Sequence, residues 1–158
     1  MSKTLQQKRT GDADQKGFTL VEVLVTLVLT SVGLLGMAAL QLTTLKSNQE
    51  AYVRSQASML SGYILDRMRA NQRGFLNNEY TVAFDGTGTA GTTAGNDLAR
   101  WQAEINRLLP GGAANAAGQV ARTAGTNIVT VTIRWSERAD RVLQEASANT
   151  SFQIRSEI

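Results

Sequence analysis

The chain of 158 residues has no cysteine and no histidine. Thiolate nucleophiles, disulfides, Cys/His zinc sites and any imidazole base or proton shuttle are therefore excluded by inventory. Proline is almost absent as well: nothing interrupts residues 18–73, and the single proline is Pro110. One-sided charge is also lacking. The formal net charge is +3, of which residues 1–17 supply +2 through Lys3, Lys8, Arg9 and Lys16 against Asp12 and Asp14. The remainder is close to neutral, which leaves no basic footprint for nucleic acid. An exported domain built from this inventory is held by packing alone, without covalent staples.

What the sequence does have is one long uncharged run. From Val23 to Leu45, "VLVTLVLTSVGLLGMAALQLTTL" carries no charged residue, and at about 1.5 Å per residue it spans roughly 34 Å, enough for a hydrocarbon core of about 30 Å. A cleaved secretory signal has a shorter apolar region and a small-x-small site after it. The run is predicted to cross a membrane. Lys8, Arg9 and Lys16 flank its start, while only Lys46 and Arg54 follow closely, so the N-terminus is expected to stay cytoplasmic and residues 46–158 to lie outside.

Past Lys46, apolar Val53, Ala57, Leu60, Ile64 and Met68 recur at helical spacing, so the helix is predicted to continue amphipathically, with Gly74 as its stop signal. That stripe has two possible partners, the chain's own domain or other subunits. Residues 85–96, "DGTGTAGTTAGN", form a Gly/Thr/Ala loop with neither the Lys-Ser/Thr of a phosphate loop nor a dinucleotide setting. Asn96 or Asp97 is predicted to cap a helix through "DLARWQAEINRLL", with Leu98, Trp101, Ile105 and Leu108 on one face and "PGG" at 110–112 ending it. "IVTVTIRW" alternates as a half-buried strand with Val129, Val131, Ile133 and Trp135 inward. "SFQIRSEI" repeats the rule with Phe152, Ile154 and Ile158 inward, and weaker strands are predicted over 79–84 and 118–123. The acids Glu79, Asp85, Asp97, Glu104, Glu137, Asp140 and Glu145 show no ligand-loop spacing. No catalytic residue, metal site, cofactor or small-molecule substrate is expected.

One acid breaks the apolar pattern: Glu22, at the head of the run, within "KGFTLVEVLV" at 16–25. A charged side chain at the centre of a membrane helix costs roughly 2.5–3.5 kcal/mol, less near the edge, and needs a partner or access to headgroups. A cut between Gly17 and Phe18 would supply a partner, because the new ammonium at Phe18 lies one helical turn from Glu22. The same cut would remove the +2 leader.

"KGFTLVEVLV" resembles the class III signal of type IV pilins and pseudopilins: a short basic leader, Gly before the cut, Phe after it, and Glu four residues further on. The resemblance implies that prepilin peptidase cuts after Gly17 and N-methylates Phe18, and that Glu22 pairs with a neighbouring subunit's Phe ammonium during assembly. "GLLGMAALQLTTLKSNQEAYVRSQASMLSGYILDRMRAN", "DLARWQAEINRLLPGG" and "VTIRWSER" are similar to the minor pilin family called type IV pilus modification protein PilV. That likeness implies an α+β, type IV pilin-like fold in which a long N-terminal helix, transmembrane and then amphipathic, packs on a small antiparallel sheet. It implies three segments: a cleaved cytoplasmic leader (1–17), a transmembrane and assembly helix (18–45), and a periplasmic globular domain (46–158). It further implies a non-enzymatic minor pilin in the bacterial inner membrane and then the pilus, with other minor pilins and the major pilin as partners through their N-terminal helices. Ala39 stands where major pilins commonly have Pro, and the terminal Cys pair of many pilins is missing, which argues against a bulk filament subunit. A minor pseudopilin of type II secretion would share signal and fold. From other classes, a single-span membrane enzyme lacks the inventory, and a DNA-uptake receptor lacks the basic charge.

Overall fold

The computed structural model describes residues 17–84, 86–136 and 149–158. The charged leader residues up to Lys16, together with Asp85, Glu137, Asp140 and Glu145, lie outside the described residues. Contacts divide the chain into two units, Met1–Leu45 and Lys46–Ile158.

Helix α1 runs over Leu20–Ala70, 51 residues. Nothing in it denies the backbone a donor, since no proline occurs before Pro110. Its early part has a mean hydropathy of 2.3 with none of that window buried, long and apolar enough to cross a membrane. In the second unit its apolar stripe is settled: Val53, Ala57, Leu60, Ile64 and Met68 are all buried, joined by Ser61 and Leu65. The stripe packs on the chain's own domain. Ser61 is tolerated there because its hydroxyl donates to the Ala57 carbonyl at 2.9 Å.

The helix stops earlier than its glycine predicts. Asn71 leaves helical geometry (φ −113°, ψ 63°), and its side chain caps the short helix α2, Gln72–Leu76, by accepting from the Gly74 amide. Gly74 lies inside α2 rather than ending α1, because an asparagine side chain can satisfy a new set of orphan amides where a mere turn cannot.

Helix α3, Thr93–Leu108, starts four residues ahead of the predicted Asn96/Asp97 cap: Thr92 is the N-cap, and its hydroxyl accepts from the Gly95 amide. The tail of the supposed Gly/Thr/Ala loop is thus helical, and Gly95 is a packing residue, since a Cβ there would run into the Thr89 carbonyl. Asp97 is released from capping for another task. It is buried, 6% exposed, and accepts from the Tyr80 hydroxyl at 2.7 Å, while Asn71 Nδ2 donates to the same hydroxyl at 3.2 Å. This chain of bonds links the ends of α1 and α3 and satisfies a carboxylate that burial would otherwise penalise. Leu98, Trp101 and Ile105 are buried and Leu108 packs partly against the core. After "PGG" a single turn, α4 (Gly112–Asn115), leads into the sheet.

The sheet is β1 (Ala117–Arg122), β2 (Ile128–Ser136) and β3 (Asn149–Glu157), antiparallel and in the order β1-β2-β3. Register places Val120 beside Val131 and Gly118 beside Ile133, with Ile154 and Phe152 on the other side of the same two residues. Val129, Val131, Ile133 and Trp135 are buried as the alternation predicts. Phe152, Ile154 and Ile158 are only partly buried against the core. The layers meet where Trp101 lies on the sheet: its indole N–H donates to the Leu60 carbonyl of α1 at 2.9 Å, and its ring fills the space that a Cβ on Gly118 would need. The strand predicted over 79–84 shrinks to one bridge, Val82 to Val120. Turns on both sides cut it short: Thr81 N–H donates to the Asn78 carbonyl and Gly86 N–H to that of Ala83, with Asn78 at φ 60°.

Burial and the Asp97 bond push the Tyr80 hydroxyl up to about 12 from 10.0. Because the neutral form is the one the fold favours, stability is full below pH 10 and is lost as pH rises from about 10 towards 12. Denaturant melts of the chain in detergent should therefore lose about 2 kcal/mol across that window, and Tyr80→Phe should flatten the slope. An unchanged slope in the variant would show that other groups carry it.

Candidate processing and assembly site

The candidate residues lie at the start of α1. Gly17 is exposed with open space around it, since a Cβ there would meet nothing within 4 Å. Phe18 is 83% exposed. Both sit ahead of the first helical turn, outside regular secondary structure.

Thr19 is the residue that the sequence reading missed. Its hydroxyl accepts from the Glu22 amide at 3.3 Å and its carbonyl accepts from Val23 N–H at 3.2 Å, so it is the N-cap of α1. Thr19 and Glu22 together spell the T-x-x-E capping box, a signal that was legible ahead of the apolar run. Glu22 is thus the acidic residue of the first turn, where the helix dipole favours a negative charge. The acid has a local reason to be there that calls for no ion-pair partner. Glu22 is exposed and forms no ion pair with a described residue; among the described residues the ion pairs are Asp66–Arg69 and Glu104–Arg107.

Downstream, the hydroxyls of the apolar run look after themselves. Thr26 donates to the Glu22 carbonyl at 2.6 Å, Thr30 to Thr26, Ser31 to Leu27, Thr43 to Ala39 and Thr44 to Leu40. Each bond is made one turn back on the same helix, so the segment presents almost no unsatisfied polar group to lipid or to another helix. Glu22 is then the single charge on the helix up to Leu45.

Thr19→Ala should loosen the first turn without disturbing the domain. Hydrogen exchange of the amides of Val21 to Val23 in micelles is expected to accelerate about fivefold, and no change would remove Thr19 from the capping role.

Elsewhere the described residues hold no comparable constellation. No group of three or more His, Cys, Asp or Glu gathers among them. A cavity of about 300 Å³ among the described residues is lined by Val82, Gly88, Leu98, Trp101 and Gln102 among others and by no charged side chain. Gln102 is already committed: its carbonyl accepts from Gly118 N–H at 3.0 Å and its amide donates to the Ala116 carbonyl at 3.3 Å.

Residues 12–38 match the model of the prokaryotic N-terminal methylation motif. Gly17, Phe18, the Thr19 cap, Glu22 and most of the apolar run fall inside that match. Neither a curated protein nor a solved structure matches the chain.

Proposed function

We propose that this type IV pilin-like chain is a minor pilin, close in kind to the type IV pilus modification protein PilV family. It is held in the inner membrane by residues 18–45 with its leader in the cytoplasm and residues 46–158 in the periplasm. Prepilin peptidase cuts between Gly17 and Phe18 and methylates the new Phe18 amine, after which the helix joins those of other minor pilins and the major pilin to prime the pilus and form its tip. The role is structural, not enzymatic.

One observation carries the reading: a carboxylate with no ion-pair partner among the described residues, Glu22, sits in the first turn of a long apolar helix inside the methylation motif. Cutting at Gly17 places a cation next to it on one chain and makes one available to the next. Ion pairing in an apolar bundle then favours assembled over solitary helices, because each charge is desolvated and only a partner of opposite sign offsets that loss.

The mass of the protein recovered from membranes and from sheared pili tests this. Loss of residues 1–17 with gain of one methyl group is the expected result. Gly17→Val should leave the leader attached, since a branched side chain crowds the peptidase site; a normally shortened variant would refute the assignment. A minor pseudopilin of type II secretion would pass the same test, and a deletion strain separates the two: loss of twitching marks the pilus, loss of protein export the secretion machine.

A further inference from the structure

The edge of a sheet is a row of unpaired backbone groups, and natural proteins blunt it with proline, lysine, a bulge, an inward charge or a short strand. The two edges of this sheet differ in that respect. On β1 the middle is taken: the Gly118 amide donates to Gln102 Oε1 at 3.0 Å, and Val120 exchanges both its backbone bonds with Val82 at 2.9 Å. On β3 the Ile158 amide donates to the Asn127 carbonyl at 3.0 Å, one step beyond the Ile128–Glu157 pair. The even-numbered residues of β3 therefore bond β2, and the odd-numbered ones turn their amides and carbonyls away from it. Ser151, Gln153, Arg155 and Glu157 thus face outward. Among the described residues only the Glu157 carbonyl of that set finds a partner, the Ser156 hydroxyl, which donates to it at 3.2 Å.

This edge carries none of the usual guards. It is nine residues long, without proline or lysine, and its register with β2 runs unbroken from Glu157 to Asn149. Its core-side residues carry no charge. They are also incompletely covered: Phe152 and Ile154, with Ile158 just beyond, are only half-buried, while Val129, Val131 and Ile133 on β2 are 0% exposed. The apolar layer ends at β3 with one side of it open.

We infer that the outer edge of β3 accepts an extended strand from a different subunit of the assembly, which prolongs the sheet to a fourth strand. The inference rests on the pilus-assembly reading. The incoming strand is apolar on the residues beside Phe152 and Ile154 and polar on the others. It sets an acid opposite Arg155 and a base opposite Glu157, both of which are exposed and form no ion pair with a described residue. A second copy of this chain does not fit. Paired antiparallel through β3, two copies are related by a two-fold normal to the sheet, which reverses the α1 packed over that sheet, whereas both helices come from one membrane. Paired parallel, the copy turns its sheet over and carries its apolar side away from Phe152. Its β1 edge is occupied already at Gly118 and Val120.

Proline tests this, because at an outward position it deletes a free N–H and leaves the bonds to β2 in place. Arg155→Pro and Gln153→Pro are made in the full chain and first checked for folding by urea melts in detergent. Recovery in sheared pili is expected to fall about tenfold for each folded variant, with Arg155→Ala close to normal. In the unmodified chain, hydrogen exchange of the Ser151, Gln153 and Arg155 amides should slow about tenfold or more in pili relative to the membrane-held form. Normal recovery of a folded proline variant overturns the inference, as does Arg155→Ala falling as far as Arg155→Pro. Should neither proline variant fold, the exchange comparison decides alone. If the unmodified chain is absent from sheared pili, the assembly reading fails and the edge pairing with it. If that chain is present and its β3 amides exchange as fast as in the membrane, only the edge pairing fails.

Discussion

Glu22→Ala is expected to be cut and methylated normally and to fall by about tenfold or more in sheared pili, because the apolar helix then has no charge with which to meet a neighbour's ammonium. The structure sharpens this experiment. Glu22 stands at the acidic position of a T-x-x-E pattern with Thr19, whose hydroxyl takes the Glu22 backbone amide; alanine keeps that backbone bond but removes both the charge and a side chain of the kind that completes a capping box. Glu22→Gln separates them. Glutamine serves the capping box as well as glutamate does, while carrying no charge. If pairing is the role of the acid, Gln is as defective as Ala and Thr19→Ala is nearly normal. If helix initiation is the role, Gln is normal and Thr19→Ala shares the defect. Normal recovery of Glu22→Ala in pili would remove the acid from assembly altogether.

Trp101→Ala is expected to be the most damaging single change in the domain. The side chain is 1% exposed, lies on the sheet against Gly118 and donates to the Leu60 carbonyl of α1. Truncation leaves a cavity worth about 3–5 kcal/mol and removes the indole's bond to the Leu60 carbonyl, about 1 kcal/mol more. Against a total stability of roughly 5–15 kcal/mol for an ordinary domain, this brings the fold near its limit. Urea melts of the chain in detergent should show the midpoint falling with little change in slope. A loss below about 2 kcal/mol would mean that the three layers are not tied together through this ring.

Trp101 also shows where sequence reading stops. Its helical spacing with Leu98 and Ile105 marks it as core, and the structure agrees. Nothing in the spacing says that its ring needs a glycine opposite, and Gly118 reads in the sequence as an ordinary member of a weak strand. Asp97 behaves the same way. A short acid at the head of an apolar period looks like a cap, but Thr92 lies five residues earlier with the Gly95 amide to accept, and Tyr80, distant in sequence, claims the carboxylate. In the candidate site the balance tips the other way. Gly17, Phe18 and Glu22 are candidates on local order along the chain alone, the same order that the methylation motif over residues 12–38 describes, and the Thr19 cap is legible by the same means.

The sequence by itself determined the apolar run, the alternation of β2 and β3, the buried stripe on α1 and the placement of one acid in the first helical turn. Each of these is a local periodicity or spacing, which the geometry of helix and strand converts directly into a face. Only the tertiary structure decided where α1 ends, which threonine starts α3, what partners Asp97 and why Gly118 has no side chain. Those outcomes depend on which residues far apart in the chain compete for the same space or the same proton, and that competition exists only once the layers have met.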